Sequence, residues 1–468
     1  MVDKQKIALS PDQVRVRVHV AKGNNAFVSG PGGTGKSLLI RLISADLRLR
    51  RVPFAVTATT GAAAVQLQCG AQTVHSFLQC GLANGPIGPI VASIHKRKRL
   101  KAKMKSLRVL IVDEVSMLDP EFLDRVDLIL REYRDQKGLP FGGLQVVFFG
   151  DFFQLPPVGP ARDRNDYAFE SNVWKQLFRP GDHVDLTTIH RQKDSLFAAM
   201  LREARAGRIS DEDVEEINLR VKEPPDEVPI IYCLRRDVER TNEQKLRQIQ
   251  ENAVEFDLET KCRILAARPQ PWMRDKCRRE AESLKKSVPV HGDKTALKVG
   301  ALVMATAKLG RGIINGTVGR VVGFREAEDD SPANARLYYP HGELLPEVRF
   351  DKGGTVLVPK CKWSKEVGDF GVAEVHGLPL ILAWAITVHK AQGATLDRAV
   401  VDVSKSFAAG QAYVALSRLT RLEGLFLMKP IDKKDFVADP KVLSFYDGVA
   451  LPNQNKRQRR QQGPPRFA

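Results

Sequence analysis

The residues Gly30-Pro31-Gly32-Gly33-Thr34-Gly35-Lys36-Ser37 read G-x-x-x-x-G-K-S. Glycines carry no Cβ, so such a loop can wrap closely around a polyphosphate and aim backbone N–H groups at it. A helix starting near Gly35 adds the positive end of its dipole. Lys36 is placed to reach β- and γ-phosphates, and Ser37 to ligate magnesium. An apolar strand and an apolar helix flank the loop where the pattern needs them, which argues against a glycine-rich turn that binds nothing. The loop names the fuel and leaves the task open, because kinases, GTPases, transporters and motors all use it.

A second cluster lies in VLIVDEVSM. Asp113 ends an apolar run and is the expected carboxylate on the magnesium side. Glu114 beside it is the expected base that orients an attacking water. Downstream of a phosphate loop, this pair signals hydrolysis rather than nucleotide storage. Gln154 in GDFFQLPPV follows another apolar run, where a carboxamide can sense a γ-phosphate. Phe152 and Phe153 before it read either as core or as stacking surface.

These groups need a scaffold that holds loops at strand ends. Ala26–Ser29, Phe54–Thr57, Val109–Val112 and Gln145–Phe149 are short apolar runs, each followed by a helix-like or chemistry-bearing turn. Strands alternating with helices predict α/β architecture around a parallel sheet covered on both faces. SPDQVRVRVHVAKG is ambiguous. Ser10, Pro11 and Gln13 form a helix start with a capping box, while Val14, Val16, Val18 and Val20 alternate like a strand. The cap chemistry and Gly23 favour a helix. From Leu297 to about residue 370 the chain turns to β-like runs with an Asn315-Gly316 hairpin signal, which predicts a small β-barrel-like insertion.

Composition narrows the partners. The chain has 468 residues and a formal net charge of +18, with a pI near 9.6. That excess calls for an anionic partner, nucleic acid first. No apolar run reaches the length of a membrane span, so no membrane partner is expected. No signal-peptide core opens the chain. The six cysteines form no C-x-x-C pair and read as reduced thiols of an intracellular protein. Cys69, His75 and Cys80 are close in sequence but lack a fourth metal ligand. The run His95–Lys105 holds seven lysines and arginines, and NKRQRRQQGPPRFA closes the chain. The first is read as a phosphate-binding surface, the tail either as disordered and solvated or as a targeting or nucleic-acid segment.

TATTGAAA, TVHSF, VDEVSMLD, GDFFQLPPV, LTTIHRQ, AITVHKAQGATLD and YVALSRLTRLEGL occur in this order. Together with DPEFLDRVDLILREYRDQKGLPFGGLQVVF they resemble the Pif-type (petite integration frequency) DNA helicases of superfamily one, branch B, from about Leu9 to Tyr446. The resemblance implies two RecA-like P-loop NTPase domains. The first spans 1–182, with a small accessory segment at about 62–106. The second spans 183–296 and 371–447, interrupted by the β-rich insertion at 297–370, and a basic disordered tail spans 448–468. It also implies ATP and Mg2+ as cofactors, with Gly30 through Ser37 on the phosphates and Ser37 and Asp113 on the metal. Lys36, Glu114, Gln154, Arg191 and Arg418 take the catalytic roles, the two arginines reaching across from the second domain. Gln13 matches a glutamine that reads adenine, and Gln392 and Gly393 lie on the nucleotide side. Thr57, Thr60, Gly61, His75, Thr387, His389 and Lys390 match DNA-contacting positions.

The implied activity is ATP-dependent, 5′-to-3′ translocation on single-stranded DNA and unwinding of forked duplexes by a monomer. G-quadruplex DNA is a further implied substrate, and replication, repair, recombination and telomere maintenance the implied settings. In a eukaryote the implied compartments are the nucleus and the mitochondrion. The chain departs from the family at His190, Ala391, Ala394 and Leu419, none of them a proposed catalytic group, and regulation carried by the long N-terminal extension of many relatives is not expected. Three rivals remain open on sequence: the helicase of a virus or mobile element, an ATP-dependent DNA clamp that does not unwind, and an RNA-directed motor.

Overall fold

The computed structural model describes residues 8–448, apart from 68, 80–86, 97, 158–165, 225–227, 287, 289, 291, 328–336, 352 and 368–369. Cys80, Arg97 and all of the basic tail but Gly448 lie outside the described residues.

The ambiguous N-terminal stretch is a helix, α1 (Pro11–Ala21). Ser10 Oγ accepts a bond from the Gln13 backbone N–H, and Gln13 Oε1 accepts one from the Ser10 backbone N–H. This reciprocal cap satisfies two donors that a strand would leave to a neighbour it does not have. Of the four alternating valines only Val16 and Val20 are buried, one helical turn apart.

Six parallel strands follow: β1 (Ala26–Ser29), β2 (Phe54–Ala58), β3 (Gln72–Thr73), β4 (Val109–Asp113), β5 (Gln145–Phe149) and β6 (His183–Asp185), in the order β3-β2-β4-β5-β1-β6. Successive side chains alternate between two cores. Val28, Ile111, Val147 and Phe149 pack under α1 and α2 (Lys36–Leu49). Phe27, Leu110, Val112, Val146 and Phe148 pack under helix Pro120–Arg134. The four longer strands fall where the apolar runs predicted them. β3 and β6 are too short to show periodicity. Because β6 pairs with β1, the first unit extends past the expected boundary at 182.

A second parallel sheet orders Ala385–Thr387, Ile230–Tyr232, Ala399–Asp402 and Leu425–Leu427. Its core takes in Phe197, Met200, Leu201 and Ala204 from helix Ser195–Arg205, and Val414 and Leu416 from helix Gln411–Leu416.

Between these strands runs an antiparallel region that is larger than 297–370. Val254–Asp257 pairs with Lys294–Leu297, and Glu259–Ile264 pairs with Gly371–Gly377. Leu380–Leu382 closes a five-stranded sheet beside Leu302–Ala305. The early strands carry Glu255, Asp257, Glu259, Lys261 and Arg263, and this charge hides them from an apolar-run reading. Asn315-Gly316 does make a turn, Thr317 N–H bonding Ile314 O, but inside a longer connection between strands 302–305 and 318–326. The C-terminal residues Val442, Leu443, Phe445 and Tyr446 leave the second unit and pack on the core of the first. No helix among the described residues is long and apolar enough to cross a membrane.

The two units are joined by a buried ion pair. Asp151, fully buried behind β5, accepts bonds from Arg205 Nη2 at 2.8 Å and Nε at 2.9 Å. The guanidinium lies 4.7 Å from the Phe153 ring centre and 5.4 Å from that of Tyr446. Removing one partner strands a desolvated charge. Arg205→Ala is therefore expected to lower unfolding free energy by about 3–5 kcal/mol, measured by urea denaturation. Arg208→Ala, which breaks an exposed pair with Glu203, is expected to change it by less than about 1 kcal/mol.

Candidate active site

β1 ends at Ser29 and the phosphate loop turns into α2. Gly33 has φ +89° and Gly35 φ +84°, a region where a side chain would be strained. A Cβ on Gly33 would come within 2.5 Å of Arg191 Cβ, and one on Gly35 within 2.7 Å of Gln13 Nε2. Thr34 Oγ1 donates to Pro31 O at 3.0 Å. Lys36 Nζ donates to Gly30 O at 2.6 Å and Pro31 O at 3.1 Å, so the ammonium lies inside its own loop. Burial lowers its pKa, opposed by Asp151, Glu114 and Asp113. Ser37 is exposed at the first turn of α2. Gln13 is buried, and its Nε2 donates to Thr34 O at 3.0 Å. Its carboxamide thus holds the loop as well as capping α1.

Asp113 and Glu114 sit at the end of β4. Burial and the neighbouring Glu114 push Asp113 up to about 8. Burial also raises Glu114, against the pull of Lys36 and Arg418. Glu114 occupies the left-handed region at φ +56°, a strained setting that aims its side chain into the cleft. Its Oε2 is buried with no hydrogen-bond partner in the protein, and so is Gln392 Nε2. The Gln392 side chain lies beside that of Glu114.

The second unit roofs the loop. Arg191 Nη1 donates to Ser417 O at 2.9 Å, and Arg418 Nη2 to Ser417 Oγ at 2.7 Å. A Cβ built on Gly32 would lie 3.0 Å from Arg418 Nη2 and 3.2 Å from Arg191 Nη1. Burial and the nearby Arg418 charge lower Arg191 to about 9. Gln154 is buried and donates to Asp151 at 3.2 Å. A Cβ on Gly410 would meet Phe153 O at 2.5 Å and Gln154 O at 2.8 Å, so the loop bearing Gln154 touches the start of helix Gln411–Leu416.

Cradle, carboxylates and orphaned polar atoms together fit a magnesium nucleoside triphosphate. Ser37 and Asp113 supply the few protein oxygens that magnesium takes beside phosphates. Among the described residues no group of three or more His, Cys, Asp or Glu could hold a metal ion, and Cys69 is a half-buried free thiol.

The residues expected to contact DNA divide. Thr57 is fully buried and its Oγ1 donates to Ile111 O at 3.0 Å. It ties β2 to β4 and does not face a strand of nucleic acid, a correction of the expectation. Thr60 Oγ1 accepts from Ala63 N and caps helix Gly61–Leu67, whose first residue is Gly61. Thr387 likewise caps helix Val388–Ala391 through the Lys390 amide. His389 is exposed, and burial beside Arg235 lowers Lys390 to about 8. His75 stacks on Phe122 with ring centres 4.1 Å apart. Gly393 faces Gln66 instead of nucleotide: Gln66 Nε2 donates to Gly393 O at 2.9 Å, and a Cβ there would meet Gln66 at 2.3 Å. This bond brings the 60–67 and 387–393 segments together across the two units.

Phe152 and Phe153 are core, not stacking surface. Phe152 lies edge-on to Phe169 and Trp174, and Phe153 stacks on Tyr446. The basic run forms helix Lys98–Ser106, which buries Leu100 and Met104 and pairs Lys101 and Lys105 with Asp135 at 2.6 and 2.5 Å. Two of its charges are thus spent on an ion pair. Tyr413, Arg205 and Gln66 were not singled out in the sequence. Tyr413 lies within YVALSR, where it reads as an apolar helix position. Arg205 and Gln66 sit in plain helical text.

Comparison with known proteins agrees with this geometry. The model of the PIF1-like helicase family matches residues 2–215. The chain is 34% identical over 447 residues to the ATP-dependent DNA helicase PIF1 of Homo sapiens, covering 94% of this chain and 64% of that one. It is also 34% identical to the ATP-dependent DNA helicase Pif1 of Bdellovibrio bacteriovorus, covering 94% of this chain and 92% of that protein. The chain therefore spans under two thirds of the human relative's length and nearly all of the bacterial one. Among solved structures it is similar to Bacteroides sp Pif1 in complex with ADP-AlF4, with TM-score 0.73, 27% identity, and 96% and 98% of the two chains covered. It is also similar to Bacteroides Pif1 bound to ssDNA, with TM-score 0.62, 28% identity, and 95% and 97% covered.

The carboxyl pair makes stability depend on pH. Asp113 and Glu114 titrate above their unfolded values in the folded chain, so the stability they hold is complete below about pH 4 and is lost as pH rises, for Asp113 toward about 8. Glu114→Gln removes one ionisation and keeps the shape. In metal-free, nucleotide-free protein its urea midpoint is expected to exceed that of wild type, by more at pH 8 than at pH 5.

Proposed function

Because the chain belongs to the PIF1-like helicase family, we propose that it is an ATP-driven motor that translocates 5′ to 3′ on single-stranded DNA and unwinds forked duplexes. One observation carries the reading: the phosphate loop of one parallel-sheet unit is roofed by two arginines of another, Arg418 buried and Arg191 half-buried. A nucleotide there bridges the units, so its binding and hydrolysis change how they sit together.

When bound, the magnesium nucleotide supplies the γ-phosphoryl group whose hydrolysis drives the cycle. Ser37 and Asp113 would hold the metal, and Lys36 would leave the Gly30 and Pro31 carbonyls for phosphate oxygens. Glu114, raised by burial, is suited to hold and accept a proton from water. Arg191 and Arg418 stabilise charge that develops on the phosphoryl oxygens. Gln154 reports on the same region through Asp151. The capped helices at Thr60 and Thr387, with Gly61, His75, His389 and Lys390, form the DNA side, joined by Gln66 and Gly393. The names of the relatives and the reported complexes with ADP-AlF4 and ssDNA support both halves of the reading. We include in it a monomeric motor, G-quadruplex DNA as a further substrate, and, in a eukaryote, work in the nucleus or mitochondrion.

The test is strand displacement from two matched forks, one with only a 5′ tail and one with only a 3′ tail, with ATP and magnesium. Wild type is expected to open the 5′-tailed fork, and Lys36→Ala to lose that activity by at least about a hundredfold. Preference for the 3′ tail overturns the polarity. Nucleotide and DNA binding without displacement on either fork identifies a clamp.

Lys390 adds a pH dependence. Its ammonium is held to about 8, below the unfolded lysine value, so the charge is present below that pH and lost above it. Raising pH from about 7 to 9 is expected to flatten the salt dependence of single-strand binding by about 0.7 in the log–log slope, for one phosphate partner lost. Lys390→Arg is expected to remove that change. A slope that does not move in wild type removes Lys390 from the phosphates.

A further inference from the structure

Tyr413 lies in helix Gln411–Leu416 of the second unit, 2% exposed. Its hydroxyl oxygen accepts a hydrogen bond from the Gly32 backbone N–H at 3.1 Å. Gly32 belongs to the phosphate loop, and it is also the residue that Arg191 and Arg418 crowd. The phenolic oxygen therefore shares one small volume with a loop amide and two guanidinium groups. Those are the donors a phosphate oxygen requires.

A buried tyrosine hydroxyl ordinarily finds some partner. Its choice here is informative. The bond crosses from one unit to the other and engages an amide that the glycine-rich loop holds out for anions. Tyr133 shows the ordinary case: its buried hydroxyl donates to Leu78 O at 3.1 Å within its own unit.

We propose that Tyr413 is a further residue of the nucleotide site, whose hydroxyl holds the Gly32 amide in place of a phosphate oxygen until a nucleoside triphosphate displaces it. The proposal rests on the nucleotide-site reading above. Its consequence is that the second unit stays docked on the loop between cycles, and each triphosphate must compete with an internal hydroxyl. Tyr413 sets affinity and docking, and proton transfer is left to Glu114.

The test is Tyr413→Phe, which removes one oxygen and keeps the ring. Binding of a fluorescent, non-hydrolysable ATP analogue with magnesium is titrated without DNA, and KM and kcat for ATP are measured with DNA. The variant is expected to bind the analogue about two- to tenfold more tightly, the value of one hydrogen bond no longer competing, with KM lowered and kcat little changed. Tyr413→Met, which also lacks the hydroxyl, is expected to shift affinity in the same direction. Tyr133→Phe is the control, expected to lose stability and leave affinity unchanged. Unchanged or weaker analogue binding in both Tyr413 variants overturns the proposal and leaves the nucleotide site standing. Absence of analogue binding in wild type overturns both together.

Discussion

The bond between Asp151 and Arg205 is the constraint on which the arrangement of the two units depends. Helix Ser195–Arg205 buries Phe197, Met200, Leu201 and Ala204 in the core of the second unit, and its last residue crosses to the first. A guanidinium out of water is tolerable only with a carboxylate in good geometry. Asp151 supplies that with bonds to both Nε and Nη2. The same carboxylate receives the Gln154 side chain. Phe153 and Tyr446 close over the guanidinium from either unit's end of the chain. One buried acid thus fixes the reach of helix 195–205, the seat of the C-terminal residues and the orientation of Gln154.

The phosphate site inherits its asymmetry from that joint. The first unit offers a loop of glycines whose N–H groups and lysine seek an anion. The second offers two arginines close together, Arg418 buried and Arg191 half-buried, which repel each other in a low dielectric. Glu114 offsets part of this repulsion. An anion placed among them relieves the rest, so binding favours closure without any specific spring. Gly410 transmits the same closure mechanically. Its missing side chain lets helix 411–416 rest on the Phe153 and Gln154 carbonyls, and a move of that helix cannot leave the Gln154 loop where it was.

The sequence made legible what burial writes as an unbroken apolar run. β1, β2, β4 and β5 are covered on both faces, and the chemistry sits at their ends, so strand and site were found together. What stayed hidden has physical causes. β3 and β6 are too short for a pattern, and Glu259–Ile264 is a half-exposed strand whose charges mask it. Phe445 and Tyr446 lie next in sequence to the second unit but fill an aromatic hollow around Phe27 and Phe152 in the first, a pairing that only the fold brings about. Thr57 sits in a loop-edge motif yet points inward, because strand alternation places every second residue under the sheet. Arg205 reads as an ordinary helix-terminal cation until its partner appears on the far side of the cleft.

On the proposed function, the sites for nucleotide and nucleic acid meet at two adjacent residues. Gln392 lies in the pocket of Glu114, and Gly393 is bonded to Gln66 on the helix that Thr60 caps. Their backbone is continuous with the helix that Thr387 caps and that bears His389 and Lys390. Gln392 and Gly393 are joined by one peptide unit, so the two contacts lie within a single short turn. The left-handed φ of Gly393 and the contact of Gln66 against it leave little slack on that side. No long pathway is needed. On the proposed function, the nucleotide side and the nucleic-acid side of the second unit are the two sides of one short turn, and the bond from Gln66 ties the helix that Thr60 caps to it.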